Sequence, residues 1–264
     1  MQYFPKTITI ISLLVFTSYT IAEEAKTADS KQNTPELSNH HNKNNPETPN
    51  TKVSSNNVAF AEPVVYDLPD PGAPETSRLI GAGTRTKGER TPYMSVLTPK
   101  HTGLTLEKQP TLYWFTSEPI TIPLQFVLIS EQSFTPILRV PLLQPQHAGI
   151  QSIKLSDYNV SLKPETVYQW SVALISNPEM RTHDMVTSGK IKRIETAKSL
   201  QHELSQTPET SRPSVYARHG IWYDLLSCLA NSIATMPTDQ FFKETRAQLL
   251  EQVGLREVAH YERK

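Results

Sequence analysis

Residues 162–175 read LKPETVYQWSVALI, and the reading of this stretch decides the fold. Tyr168, Trp170, Val172 and Leu174 fall on one face of an extended chain, with Gln169 and Ser171 on the other. A period of two with one apolar and one wetter face marks a half-buried strand. Outward from it, LYWFTS (112–117), LQFVLIS (124–130), TPILRV (135–140), IQSIKL (150–155) and GKIKRIE (189–195) are also strand length and rich in branched or aromatic residues. No helix-length spacer separates these runs. An antiparallel β-sandwich over residues 71–196 is therefore expected, rather than an alternating α/β sheet.

The beginning of the stretch sharpens this expectation. Leu162, Pro164, Thr166 and Tyr168 alternate, a pattern similar to the corner sequence of fibronectin type III domains. There a Tyr bonds back to the preceding chain before entering a core strand. Leu162 would plug the end of the sandwich, Pro164 would stiffen the turn, and the Tyr168 hydroxyl needs a partner once buried.

After Glu195 the period changes. AKSLQHELSQ (197–206) is a short polar helix candidate, and PSVYARHGIWYDLLSCLANSIAT (213–235) carries Trp222, Leu225, Leu226, Leu229 and Ile233 at helical spacing. In PTDQFFKETRAQLLEQVGL (237–255), Thr238 is the expected N-cap, Asp239 lies in the first turn and Gly254 ends the helix. Few residues separate the two longer segments, so they predict an antiparallel helical hairpin. The fold class expected is mainly β with α: an immunoglobulin- or fibronectin type III-like antiparallel β-sandwich, followed over residues 197–264 by helices packing on it.

The N-terminus reads as an export signal over residues 1–22. Lys6 precedes an apolar core from Ile8 to Phe16, and Thr20 and Ala22 supply small residues at the −3 and −1 positions before Glu23. The apolar run falls short of the ~18–20 residues that span a bilayer, so no membrane span is expected in the mature chain. Residues 23–70 read as a polar linker: 23–59 hold no aromatic residue, and SNHHNKNNPETPNTKVSSNN (38–57) offers too little apolar area to offset its ordering entropy. His40 and His41 lie in it without neighbouring ligands and read as solvated. Exported location, periplasmic or extracellular, is the expectation.

Charge and motifs narrow the function classes. The 26 basic and 26 acidic side chains cancel, which gives no footprint for nucleic acid. GAGTRTKG (81–88) fails the phosphate-loop and dinucleotide tests, because Gly81, Gly83 and Gly88 have the wrong spacing and ERTP follows where a helix should start. It reads as a turn, with Arg78 and Arg85 placed to grip a carboxylate or carbonyl. The single cysteine, Cys228, excludes an internal disulfide and reads as a small hydrophobe.

YARHGIWYDLLSCL (216–229) is the densest cluster of reactive side-chain types. On one continuous helix, however, His219 and Asp224 stand about 140° apart and do not face each other. Packing is the better reading, with Trp222 and Leu226 toward the core, Tyr223 at its edge, Asp224 as a local hydrogen-bond partner, and Gly220 allowing a close approach. In RTHDMV (181–186), Arg181, His183 and Asp184 read as a loop capping a strand end. No catalytic residue, cofactor or metal site is selected.

Taken in order, GAPETSRLIGAGTR, GLTLEKQPTLYWF, FVLI, AGIQSIKL, LKPETVYQWSVALI, SGKIKRIE and YARHGIWYDLL resemble family 928 of the domains of unknown function, known mainly from cyanobacterial and other bacterial genomes. The resemblance spans about residues 72–234. SGKIKR lacks the aromatic expected after its Gly, and SVLTPK is a loose version of its segment. The resemblance implies an exported protein of similar layout and carries over no catalytic residue. Two functions fit the sequence. One is a non-enzymatic envelope module that binds an exported protein or a surface glycan, with Tyr168, Trp170, Trp222, Tyr223 and Asp224 as structural or binding signature. The other is a secreted hydrolase of a cell-wall or extracellular polysaccharide.

Overall fold

The computed structural model describes residues 63–69, 92–133 and 135–264. The expected export signal, most of the linker with His40 and His41, and the turn carrying Arg78 and Arg85 lie outside the described residues. Eight strands precede five helices within them. The strands are β1 (Met94–Val96), β2 (Gly103–Thr105), β3 (Thr111–Thr116), β4 (Leu124–Ser130), β5 (Pro136–Leu142), β6 (Gly149–Lys154), β7 (Val167–Leu174) and β8 (Met185–Arg193). The helices are α1 (Lys198–Gln206), α2 (Arg212–Arg218), α3 (Trp222–Thr235), α4 (Gln240–Gln252) and α5 (Arg256–Glu262).

The strands form two sheets, of order β1-β3-β6 and β2-β8-β7-β4-β5. The period of two in β7 is realised in its burial: Tyr168, Trp170, Val172 and Leu174 are buried, whereas Gln169 is exposed. Tyr168 turns back on its own approach, its hydroxyl accepting the Lys163 N–H at 2.9 Å. Trp114 of β3, Phe126 of β4, Trp170 of β7, Trp222 of α3, Leu249 of α4 and Val258 of α5 belong to one continuous core. Burying each such side chain contributes ~1.5–3 kcal/mol relative to leaving it in water.

Three expectations need correction. The sheets are not wholly antiparallel, because β2 pairs parallel with β8 in the register Gly103↔Ile191 to Thr105↔Arg193. A three-residue strand tolerates the weaker parallel ladder where a helix backs it, and Tyr223 of α3 stands so close to Gly103 that a Cβ there would meet its ring at 2.7 Å.

The helical part is five helices rather than a short helix and a hairpin, since residues 213–235 break at His219–Ile221 and α5 follows α4. The break has a definite chemistry. Gly220 adopts φ +66°, its N–H bonds the Ala217 carbonyl, and the Ile221 N–H bonds the Tyr216 carbonyl. That pair of bonds closing on a left-handed Gly is a Schellman ending. Gly254 closes α4 in the same way, through Gly254 N–H to Glu251 and Leu255 N–H to Leu250. The third correction is one residue in size: the N-cap of α4 is Asp239, whose carboxylate accepts the Phe241 N–H at 2.9 Å.

Residues 63–69, within the stretch expected as linker, lie extended against the helices. Val64 and Tyr66 are buried while Val65 and Leu68 are exposed. The Gln252 side chain at the end of α4 clasps this strap. Its Oε1 accepts the Tyr66 N–H at 3.0 Å, and its Nε2 donates to the Val64 carbonyl at 3.2 Å.

Candidate functional site

The residues singled out by sequence divide between a buried polar hub and separate positions. Tyr223 is the hub's centre. Its hydroxyl accepts the Trp170 indole N–H at 2.8 Å and donates to the Lys190 carbonyl at 3.0 Å, with the Thr98 hydroxyl 3.2 Å away. One turn of helix thus ties α3 to β7 and β8. Beside it the Trp222 indole N–H donates to the Leu97 carbonyl at 2.9 Å. Both rings are fully buried, so Tyr223 is not at the edge of the core as expected. Burial raises its phenol well above the usual range. Sequence reasoning placed it at the edge because the room that Gly103 of β2 leaves for its ring is made only by tertiary folding.

Asp224 is also more than a local partner. Its carboxylate accepts the Leu106 N–H, at 3.3 and 3.2 Å to the two oxygens, across 118 residues. Burial pushes its pKa up to about 7, against the opposing hydrogen bonds from Thr105 and Leu106. His219 faces elsewhere. Its Nε2 lies 2.9 Å from Glu203 on α1, which Arg218 also holds at 2.6 Å, so His219 and Asp224 form no dyad. Tyr168 stands apart at its corner, and Arg78 and Arg85 lie outside the described residues.

Other candidates resolve as structure. Arg181 pairs with Asp184 and bonds the Gln125 side chain at 3.1 Å, which fastens the loop between β7 and β8 to β4. Cys228 is half-buried, and its thiol is pushed up to about 11 by burial, which makes it a poor nucleophile. Among the described residues no group of three or more His, Cys, Asp and Glu is placed to hold a metal. No helix of the described residues is long and apolar enough to cross a membrane.

An accessible concavity lies elsewhere, between the open edges of the two sheets. A groove of about 400 Å³ runs between the end of β5 and the outer edge of β6. Trp114 lies at its base, Pro141, Leu142 and Leu143 form one wall, and Gln151 to Lys154 with Asp157 and Tyr158 form the other. Leu143 is 94% exposed, and the partly exposed Tyr158 adds apolar surface on the facing wall. The edge itself is polar. Leu155 N–H bonds the Pro110 carbonyl, and in that register Gln151 and Ile153 bond β3. By antiparallel alternation the backbone groups of Ile150, Ser152 and Lys154 point away from the sheet. Sequence reasoning missed this groove. The available signal was PILRVPL, in which Pro136 and Pro141 within a strand mark an edge.

Two sheets joined through a buried polar hub to C-terminal helices, with a groove at their open edges, define a mixed β-and-α protein. Residues 80–262 match the family described as Domain of Unknown Function (DUF928), and the chain belongs to it. No curated protein and no solved structure matches the chain.

Proposed function

We propose that this chain is an exported, non-enzymatic binding module that engages an extended segment of another exported protein at the groove between β5 and β6. The observation that carries the reading is the groove, where exposed apolar side chains meet outward-facing backbone groups of an edge strand. A partner strand added to β6 would satisfy the backbone of Ile150, Ser152 and Lys154, and its side chains would cover Leu143 and Tyr158. The Tyr168 corner supports a fibronectin type III-like arrangement of the sheets, and the N-terminal sequence supports export. The hydrolase reading has less support: the carboxylate with the raised pKa, Asp224, is buried in the first turn of α3 and does not line the groove.

The test places a photoreactive group at Ser152 of the purified chain in envelope extract, with a glycan array as a second arm. A discrete protein adduct that Leu143→Asp and Tyr158→Ala abolish, at unchanged melting temperature, supports the proposal. Glycan binding lost in the same variants would replace the partner class. If neither arm responds to the groove variants, the reading fails.

A further inference from the structure

The strap at residues 63–69 is held by backbone hydrogen bonds and by one buried ring. Gln252 takes both the Val64 carbonyl and the Tyr66 N–H, and the Asp67 N–H bonds the Ala217 carbonyl at 3.0 Å. The Tyr66 ring enters a pocket, stacked on His101 with ring centres 5.8 Å apart and edge-on to Trp222 at 5.0 Å. Its hydroxyl lies 2.9 Å from His101 Nε2 and 3.3 Å from the Gly220 carbonyl. Gly220 is required for the approach, since a Cβ there would stand 2.9 Å from the Asp67 carbonyl oxygen.

These contacts read two things only: an extended backbone, and an aliphatic-x-Tyr pattern of side chains. They do not depend on the segment being joined to the same domain. His101, Ala217, Gly220, Trp222 and Gln252 all lie within the family-matched residues 80–262, whereas the strap lies outside them. Pro69 and Pro92 are joined by 22 intervening residues, 70–91. A connection of that length reaches at most about 75 Å when extended, which is long enough to deliver a strap to a neighbouring molecule.

We propose that this slot is a recognition site for an extended aliphatic-x-Tyr segment, occupied here by the chain's own residues 63–69 and open to the same segment of a second copy. Exchange would rebuild the same bonds in trans, so the contacts do not choose between the arrangements. Effective concentration chooses. A strap tethered through 22 residues competes with an effective concentration of roughly mM, so exchange needs chains crowded to a similar level.

Two full-length variants make the test. Tyr66→Ala leaves the slot intact and spoils the strap, while Gln252→Ala spoils the slot and leaves the strap intact. Mixed with different tags, the two should co-purify as a pair, whereas neither should pair with itself. A labelled peptide of residues 63–69 should bind Tyr66→Ala, bind the wild-type chain at least tenfold more weakly, and fail on the double variant. If the peptide does not bind Tyr66→Ala, or binds all three alike, the slot assignment is overturned. If it binds while the variant pair stays apart, the second-copy assignment is overturned.

Should Tyr66→Ala lose its fold, hydrogen exchange on the wild-type chain replaces it. Excess peptide should accelerate exchange of the Tyr66 and Asp67 amides, and unchanged protection would overturn the proposal. Leu143→Asp should leave every one of these results intact, which separates the slot from the groove.

Discussion

Replacing Tyr223 by Phe removes one oxygen atom and tests the hub directly. The ring still fills its place against Gly103, so the change opens almost no volume. What is lost is the acceptor for the Trp170 N–H and a donor to the Lys190 carbonyl. Trp170 is fully buried and its indole N–H has no other partner among the described residues, so it would be left unbonded. An unsatisfied buried donor costs about 1–3 kcal/mol, and a lost ordinary bond about 0.5–1.5 kcal/mol. The expected destabilisation is therefore about 2–4 kcal/mol. Urea unfolding followed by tryptophan fluorescence measures it, with the slope unchanged because the surface exposed on unfolding is unchanged. A double-mutant cycle with Trp170→Phe should recover a coupling of about 1 kcal/mol or more, because the second change removes the stranded donor. A loss below about 0.5 kcal/mol at constant slope would refute the claim that the hub couples α3 to β7.

Tyr168→Phe should cost less, about 0.5–1.5 kcal/mol in the same assay, because only the bond from Lys163 is lost and that site is near solvent. Asp224 makes stability depend on pH with an unusual sign. Its folded pKa, about 7, lies above the ordinary carboxylate value of 3.8, so its ionisation opposes folding. Its contribution is fully present below about pH 4, is lost as pH rises to 7, and levels off above that. The amplitude is on the order of 4 kcal/mol. Asp224→Asn should flatten that part of the profile in unfolding measured from pH 4 to 8, and an unchanged profile would refute the assignment. Gly220→Ala imposes both a left-handed backbone on a Cβ and a clash with the strap, so a loss of about 1–3 kcal/mol is expected, with faster hydrogen exchange at Tyr66.

The strands were legible in sequence wherever alternation ran for six residues or more, as in β4 and β7. The two three-residue strands were not, because Met94–Val96 and Gly103–Thr105 are too short to carry a period. The parallel pairing of β2 was also hidden, since its partner lies almost ninety residues later and no local pattern records it. The Gly220 break could have been read from the same rule that correctly ended α4 at Gly254. The apolar spacing of Trp222 and Leu225 runs on past the break and suggested continuity. Trp222 was recognisable as an anchor by its size and spacing. The roles of Tyr223 and Asp224 were not, because the Lys190 carbonyl and the Leu106 N–H are brought to them only by tertiary folding.

The clasp of Gln252 on the strap also sets an order of events for a chain delivered from its N-terminus. Tyr66 and Gln252 are 186 residues apart, so the first described segment finds its partner only when α4 has emerged. The slot also needs Ala217, Gly220 and Trp222, which arrive late as well. Until then the Tyr66 ring has no burial site, and closing so long a loop is among the slower steps open to a domain of this size. Completion of the structure is thereby timed to the arrival of the C-terminal helices rather than to the pairing of the sheets.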